Sequence, residues 1–129
     1  VSTSPILQMA VHKAALDIFE EVGDLEKLRR KAVLLTGYLE YWLKHLNEKH
    51  GEDLFRIITP ADPQWRGSQL SVICKRNGKA MFDHLSKNGV ISDWREPDVI
   101  RLSPVPLYNS FKDVYSAAMR LDEALIALG

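Results

Sequence analysis

The feature that most constrains the fold is a long run of regularly spaced apolar side chains in the first half of the chain. They alternate at spacings of three and four residues, which places them on one side of an α-helix: Leu25, Leu28, Ala32, Leu35, Leu39, Trp42 and Leu46. A helix from there to Gly51 would be roughly 39 Å long at about 1.5 Å per residue. The run is too short and its flanks are too mixed for a coiled coil, so we expect this helix to lie on a sheet.

The rest of the chain supplies the strands of such a sheet. Alternating or β-branched residues predict strands at 54–59, 70–74, 90–92 and 99–102, with residues 93–97 as the loop of a hairpin. A short helix is expected to end at Asn88-Gly89, and a C-terminal helix carries the apolar stripe Val114, Ala117, Ala118, Leu121, Leu125 and Leu128. These elements predict an α+β domain of two layers, with long N-terminal helices and a sheet of three or four strands flanked by helices.

The leading segment, residues 1–23, has a different character. Ser4-Pro5 is typical of a helix start, and from Ile6 to Val22 the charged residues form a single narrow stripe. Such a helix is expected to be buried on most sides and to need a partner element. The chain begins at Val1 without a methionine. We therefore hypothesise that it is a fragment of a longer protein.

Composition argues against several classes of function. Seventeen basic and seventeen acidic residues cancel, so there is no electrostatic case for binding nucleic acid or an anionic membrane. No apolar run is long enough to span a bilayer. Cys74 is alone, which rules out an intrachain disulfide and favours a reducing compartment, with the cytoplasm as the default location. The four histidines match no metal-binding motif, so no metal site is expected: His12, His45, His50 and His84.

One arginine stands where a strand meets a stiff loop. Val99–Leu102 favours a strand, and the prolines at 104 and 106 end it because neither can donate to a sheet ladder. Ser110 with Asp113 is a capping-box pattern that opens the last helix. Arg101 near that strand end suits a guanidinium that binds a planar carboxylate. On spacing alone, a surface arginine or a structural ion pair is the commoner explanation.

Other polar groups have more than one interpretation. The carboxylates within residues 93–98 suit acid–base chemistry, but a turn with solvated charges explains them better. Trp65 and Arg66 suit a pocket wall, yet a loop tryptophan more often packs over its own core. The basic run at 29–31 is expected to be a solvated helix face. For Tyr108-Asn109, hydrogen bonds that pin the loop are favoured over substrate contact.

Three stretches resemble those of a known family. Val-Ile-Ser-Asp-Trp-Arg-Glu-Pro-Asp-Val-Ile-Arg-Leu-Ser-Pro-Val-Pro-Leu-Tyr-Asn-Ser-Phe, residues 90–111, looks like the C-terminal signature of kynureninase. Arg-Gly-Ser-Gln-Leu-Ser at 66–71 and Leu-Leu-Thr-Gly-Tyr-Leu-Glu-Tyr at 34–41 are similar to two further family stretches. This family depends on pyridoxal 5′-phosphate (PLP) and belongs to the aspartate aminotransferase superfamily. The resemblance implies that residues 1–129 are the C-terminal small domain of a fold-type-I PLP enzyme, with 1–23 connecting it to a large PLP-binding domain.

The resemblance also implies an activity. Kynureninases hydrolyse L-kynurenine, or 3-hydroxykynurenine, to L-alanine and anthranilate, or 3-hydroxyanthranilate, in the kynurenine pathway of tryptophan catabolism and NAD biosynthesis. The full-length enzyme is then expected to be a cytoplasmic homodimer. Arg101 falls at the family's substrate-carboxylate arginine, Ser2 at a substrate-binding position and Thr3 at a cofactor-binding position. Thr3 departs from the asparagine that some members carry at this position.

The family's PLP lysine and phosphate-binding residues belong to upstream motifs that this sequence lacks. The resemblance therefore assigns no catalytic residue to this chain, and we expect the isolated chain neither to bind PLP tightly nor to cleave kynurenine. Two alternatives stay open. One is the small domain of another fold-type-I enzyme, a desulfurase or an aminotransferase, against which the Pro-Val-Pro-Leu-Tyr-Asn block argues. The other is a free-standing, non-catalytic interaction domain that docks through its long helices.

Overall fold

The chain forms three helices and four strands within residues 25–128. The computed structural model describes residues 13, 14, 17 and 25–128, so Ser2, Thr3 and most of the predicted leading helix lie outside the described residues. The elements in chain order are α1 (Leu25–His50), β1 (Phe55–Ile57), a 3-10 turn (Pro63–Trp65), β2 (Leu70–Cys74), α2 (Gly78–Lys87), β3 (Asp93–Arg95), β4 (Val99–Leu102) and α3 (Phe111–Leu128). The predicted α+β class is confirmed.

The four strands form one antiparallel sheet in the order β1-β2-β4-β3. Side chains of a strand alternate between the two faces of its sheet. In β2, Leu70, Val72 and Cys74 are accordingly buried, whereas Ser71 and Ile73 are partly exposed. β4 repeats the pattern, with Ile100 and Leu102 buried and the alternate residues partly exposed. One face of the sheet therefore belongs to the core, and the opposite face is open among the described residues.

Helix α1 has the predicted length and lies over the core. Its buried residues are Ala32, Leu35, Thr36, Leu39, Leu43 and Leu46, and the four leucines share a cluster with the buried side chains of the sheet. Leu25 is the exception to the predicted seam, since it is 66% exposed in the first turn. Helix α3 adds Val114, Ala118, Leu121 and Ala124 to the same interior. Burying a leucine or valine side chain stabilises a fold by roughly 1.5–3 kcal/mol, so this interior is the main source of stability.

The prediction of a strand at 90–92 is wrong, and the actual position of this strand matters for the candidate site. The strand is Asp93–Arg95, and residues 96–98 form the turn to β4. Trp94 lies opposite Ile100 and packs against the core at the start of α2. There the absence of a side chain at Gly78 makes room, because a Cβ would lie 3.1 Å from Trp94 Cη2. Packing of this tryptophan selects the register that local propensity missed.

Candidate functional site

Arg101 lies on the open face of the sheet, opposite Asp93 on the neighbouring strand. The two residues are direct partners in the β3–β4 ladder. Arg101 Nε donates to Asp93 Oδ2 at 2.8 Å, and Nη2 contacts the same oxygen. The Arg101 side chain is 31% exposed. The predicted strand-end arginine is therefore held by one edge of its guanidinium and remains accessible.

A second arginine converges on the same carboxylate. Arg95 Nε lies 3.2 Å from Asp93 Oδ2. Hydrogen bonding from Arg101, together with the charges of both arginines, lowers the pKa of Asp93 below its ordinary value. Asp93 lies in β3 and not in the predicted turn, and its carboxylate is paired although its side chain is 48% exposed, whereas Glu96 and Asp98 lie in the turn as expected.

The loop after β4 is pinned at both ends. Asn109 Oδ1 accepts from Val105 N at 2.8 Å, which confirms the loop-pinning use predicted for Asn109. Asp113 N donates to Ser110 Oγ at 3.2 Å and Ser110 N donates to Asp113 Oδ2 at 2.8 Å, so the predicted capping box is present. Lys31 Nζ of α1 donates to the carbonyl of Pro106 at 2.8 Å. The chain that follows Arg101 is thus held on α1 and α3.

The loop between β1 and β2 is held on α1. The Nη atoms of Arg66 each lie 3.3 Å from Glu40 Oε2, and the Arg66 side chain is only 4% exposed. Arg29 donates to the carbonyl of Pro63 and, at 3.1 Å, to that of Arg66. Trp65 is 73% exposed, so the expectation that it packs over the core is wrong. Arg66 turns inward in its place.

These contacts bring the distant stretches of the sequence to one end of the domain. Leu70 pairs with Leu102, so the loop before β2 and the loop after β4 leave the sheet at the same end. Ser71 pairs with Arg101 directly. Arg29 and Lys31 each contact one of the loops, so the run predicted to be a solvated face has a structural use. Sequence reasoning missed Asp93 and Glu40 as partners, and only a correct strand register and loop path would have found them.

A groove lies on the other side of β4 from Arg101. Its volume is about 510 Å³, and it is lined by Leu102, residues 88–91, Pro104 and the first half of α3, including Asp113. Arg101 does not line it. The groove and the Arg101–Asp93 pair are therefore separate, and Arg120, the arginine that lines the groove, is paired with Glu123 at 3.0 and 3.1 Å.

The remaining chemistry-bearing residues do not assemble into a further site. Among residues 13, 14, 17 and 25–128, no three histidine, cysteine or acidic side chains cluster in a way that could hold a metal ion. Cys74 is buried. Its burial, with a smaller contribution from the nearby charge of Asp98, raises the pKa of the thiol to about 12. Cys74 is therefore an apolar strand residue, as predicted. No helix in the described part of the chain combines the length and apolar character needed to cross a bilayer.

Comparison with known proteins decides the family. The family model for the kynureninase C-terminal domain matches residues 28–121. The chain belongs to this family. The kynureninase of Flavobacterium johnsoniae is 46% identical over 126 residues, which cover 98% of this chain and 29% of that protein. The kynureninase of Mus musculus is 46% identical over 119 residues, covering 89% of this chain and 25% of that protein. The kynureninase-type domain described here thus spans less than a third of these relatives.

Solved structures support the fold. A C-DES mutant with glycine covalently linked to the PLP cofactor superposes on the kynureninase-type domain with a TM-score of 0.73, at 19% identity. The match covers 95% of this chain and 30% of that one. A NifS-like protein matches with a TM-score of 0.67 at 22% identity, covering 82% of this chain and 30% of that one. The domain has the fold found in a part of these larger proteins, and at such identities the likeness concerns the fold alone.

Proposed function

We propose that this chain is the C-terminal domain of a PLP-dependent kynureninase that hydrolyses L-kynurenine or its 3-hydroxy derivative, releasing L-alanine and the corresponding anthranilate. Arg101 binds the α-carboxylate of the substrate. The observation that carries this proposal is a half-exposed guanidinium in a kynureninase-type domain, on the open face of the sheet, with one edge free. By the family resemblance, Ser2 contacts the substrate, Thr3 the cofactor, and the enzyme is a cytoplasmic homodimer.

The free edge of Arg101 is what suits it to a carboxylate. Asp93 uses Nε and Nη2, and among the described residues Nη1 has no hydrogen-bond partner. A guanidinium offers its donors in a planar fork, and a carboxylate matches two of them with parallel hydrogen bonds. The Nη1–Nη2 end can therefore bind a second carboxylate while Asp93 stays bound to the Nε–Nη2 edge. Such binding fixes the amino acid without taking part in proton transfer.

PLP contributes the electron withdrawal that weakens the bond to be cleaved when it is bound in the full-length enzyme. Within residues 25–128 we assign no side chain to the cofactor, because the polar groups gathered around Arg101 fit a carboxylate. The contribution of this domain is then to bind and orient the substrate. The isolated chain should neither develop the visible absorbance of bound PLP nor release anthranilate from kynurenine.

The test is a substitution in the protein expressed from its native gene, whose intact mass is measured first. Arg101→Lys keeps the charge and loses the fork. It should lower kcat/KM for kynurenine roughly 10- to 150-fold, which corresponds to a loss of about 1.5–3 kcal/mol of transition-state stabilisation. Arg56→Lys is the matched control, since Arg56 is an exposed arginine whose ladder partner Ile73 shares the face of Arg101. Equal kcat/KM in Arg101→Lys and wild type would contradict the assignment. Activity on a desulfurase or aminotransferase substrate but not on kynurenine would contradict the reaction class.

A further inference from the structure

We propose that Asp93 is a positioning residue, which holds the Nε–Nη2 edge of Arg101 so that its Nη1–Nη2 end is presented to the substrate carboxylate. This inference rests on the proposed function and adds to it a second residue that determines how the carboxylate is recognised. Asp93 acts through Arg101 and is not itself a substrate contact.

The strand pairing makes Asp93 a rigid anchor. Residues directly opposite in an antiparallel ladder have Cβ atoms about 4.5–5.5 Å apart, and Asp93 and Arg101 are such a pair. Arginine has a long side chain with many rotamers, whereas aspartate has a short one whose carboxylate cannot move far from its strand. The contact of Nε at 2.8 Å and of Nη2 with one oxygen sets the plane of the guanidinium as well as its position. The free end then points away from β3.

Arg95 strengthens the anchor and preserves the charge of the site. It lies 3.2 Å from the same oxygen of Asp93, so the carboxylate is held between two guanidinium groups. Two positive charges and one negative charge leave this trio with a net charge of +1. An incoming carboxylate therefore meets a positive group even though Arg101 is already paired.

A different role for Asp93 predicts the opposite result. If the aspartate merely neutralised Arg101 and competed with the substrate, removing it would strengthen carboxylate binding. If it positions Arg101, removing it lets the guanidinium sample other rotamers and weakens binding. The sign of the change in KM separates these roles, and neither is expected from a general loss of stability.

The experiment compares variants of the full protein expressed from its native gene. Asp93→Asn preserves the size of the side chain and removes its charge, and we expect it to raise KM for kynurenine on the order of tenfold while kcat changes by less than about twofold. As a second readout, inhibition constants are measured for a substrate analogue with its α-carboxylate and for the same analogue with an amide there. Asp93→Asn should weaken the carboxylate form on the order of tenfold and leave the amide form unchanged. Asp83→Asn is the matched control, because it removes an exposed aspartate paired with Lys79 at 3.6 Å on α2.

Arg101→Lys, measured in parallel, keeps this proposal separable from the proposed function. If Arg101→Lys raises KM but Asp93→Asn lowers it or leaves it unchanged, the positioning role is overturned and the proposed function stands. If Arg101→Lys has no effect, the proposed function fails and the positioning role fails with it. In the Arg101→Lys background, Asp93→Asn should add less than about twofold, since its effect passes through the guanidinium; a full tenfold addition would overturn the proposal.

Discussion

Replacing Glu40 by leucine tests the idea that a buried ion pair pins the loop before β2 onto α1. Glu40→Leu leaves the guanidinium of Arg66 without its carboxylate, although the side chain of Arg66 is 4% exposed. Removing one partner of a fully buried pair costs about 3–5 kcal/mol, because the remaining charge has lost its solvent and its counter-ion. The cost should be lower here for three structural reasons.

The first reason is that Glu40 is 17% exposed, so solvent already screens the pair in part. The second is that both contacts are 3.3 Å long, which exceeds the distance usual for charge-assisted hydrogen bonds. The third is that the carbonyl of Pro60 lies 3.5 Å from Arg66 Nη1 and can still accept from it. We therefore expect Glu40→Leu to lower the free energy of unfolding by about 2–3 kcal/mol.

Urea unfolding at neutral pH of the single and double variants supplies the measurement. The double variant Glu40→Leu with Arg66→Met removes both charges and should lie within about 1 kcal/mol of wild type, giving a coupling of about 2 kcal/mol. Lys44→Met is the control, because Lys44 is 69% exposed and 3.5 Å from Glu40, and its loss should cost less than about 0.5 kcal/mol. Additive costs in the double variant, or a Glu40→Leu cost no larger than that of Lys44→Met, would refute the reasoning.

Three further predictions follow from the described contacts. Gly78→Ala should lower the free energy of unfolding by about 1–2 kcal/mol, because the new Cβ would lie 3.1 Å from Cys74 Cβ and from Trp94. Gly37→Ala should stabilise α1 by about 0.5–1 kcal/mol, because its new Cβ would have nothing within 4 Å. Equal thermal shifts in the two variants would contradict this. Ser110→Ala removes one half of the capping box and should cost about 1 kcal/mol in urea unfolding, and an unchanged midpoint would show the cap to be dispensable. Burial opposes the ionised form of Asp122, but hydrogen bonds from Lys49 and His50 outweigh it and keep the pKa of Asp122 below its ordinary value of 3.8. This stabilisation is present above pH 3.8 and is lost as pH falls through the lowered pKa, so wild type should lose more stability below that pH than Asp122→Asn; parallel pH profiles would refute it.

Much of the fold follows from patterns that are local in the chain. The apolar spacing that predicts α1 works because a helix satisfies its own backbone hydrogen bonds, so its length and buried side are written in consecutive residues. The alternation in residues 70–74 and the capping box at Ser110 are equally local, and the structure has both. The family resemblance added the role proposed for Arg101, which no pattern of spacing supplies.

The contacts around the candidate site depend on residues far apart in the chain. Propensity favoured a strand at 90–92, but the packing of Trp94 at Gly78 places the strand at Asp93–Arg95 and so sets Asp93 opposite Arg101. A shift of one residue in a strand would turn every side chain to the other face, so this register decides which carboxylate the arginine finds. Likewise Trp65 and Arg66 are neighbours in the sequence, yet Trp65 is exposed and the side chain of Arg66 is buried.

The sequence by itself determined the helices of residues 25–128, the alternation in β2 and β4 and the class of the fold, because each is encoded within a few neighbouring residues. Only the tertiary structure decided which partners surround Arg101 and which loops are fixed on α1. The physical reason is that strand register and buried ion pairs are chosen by the packing of the whole core, and no short segment contains that information.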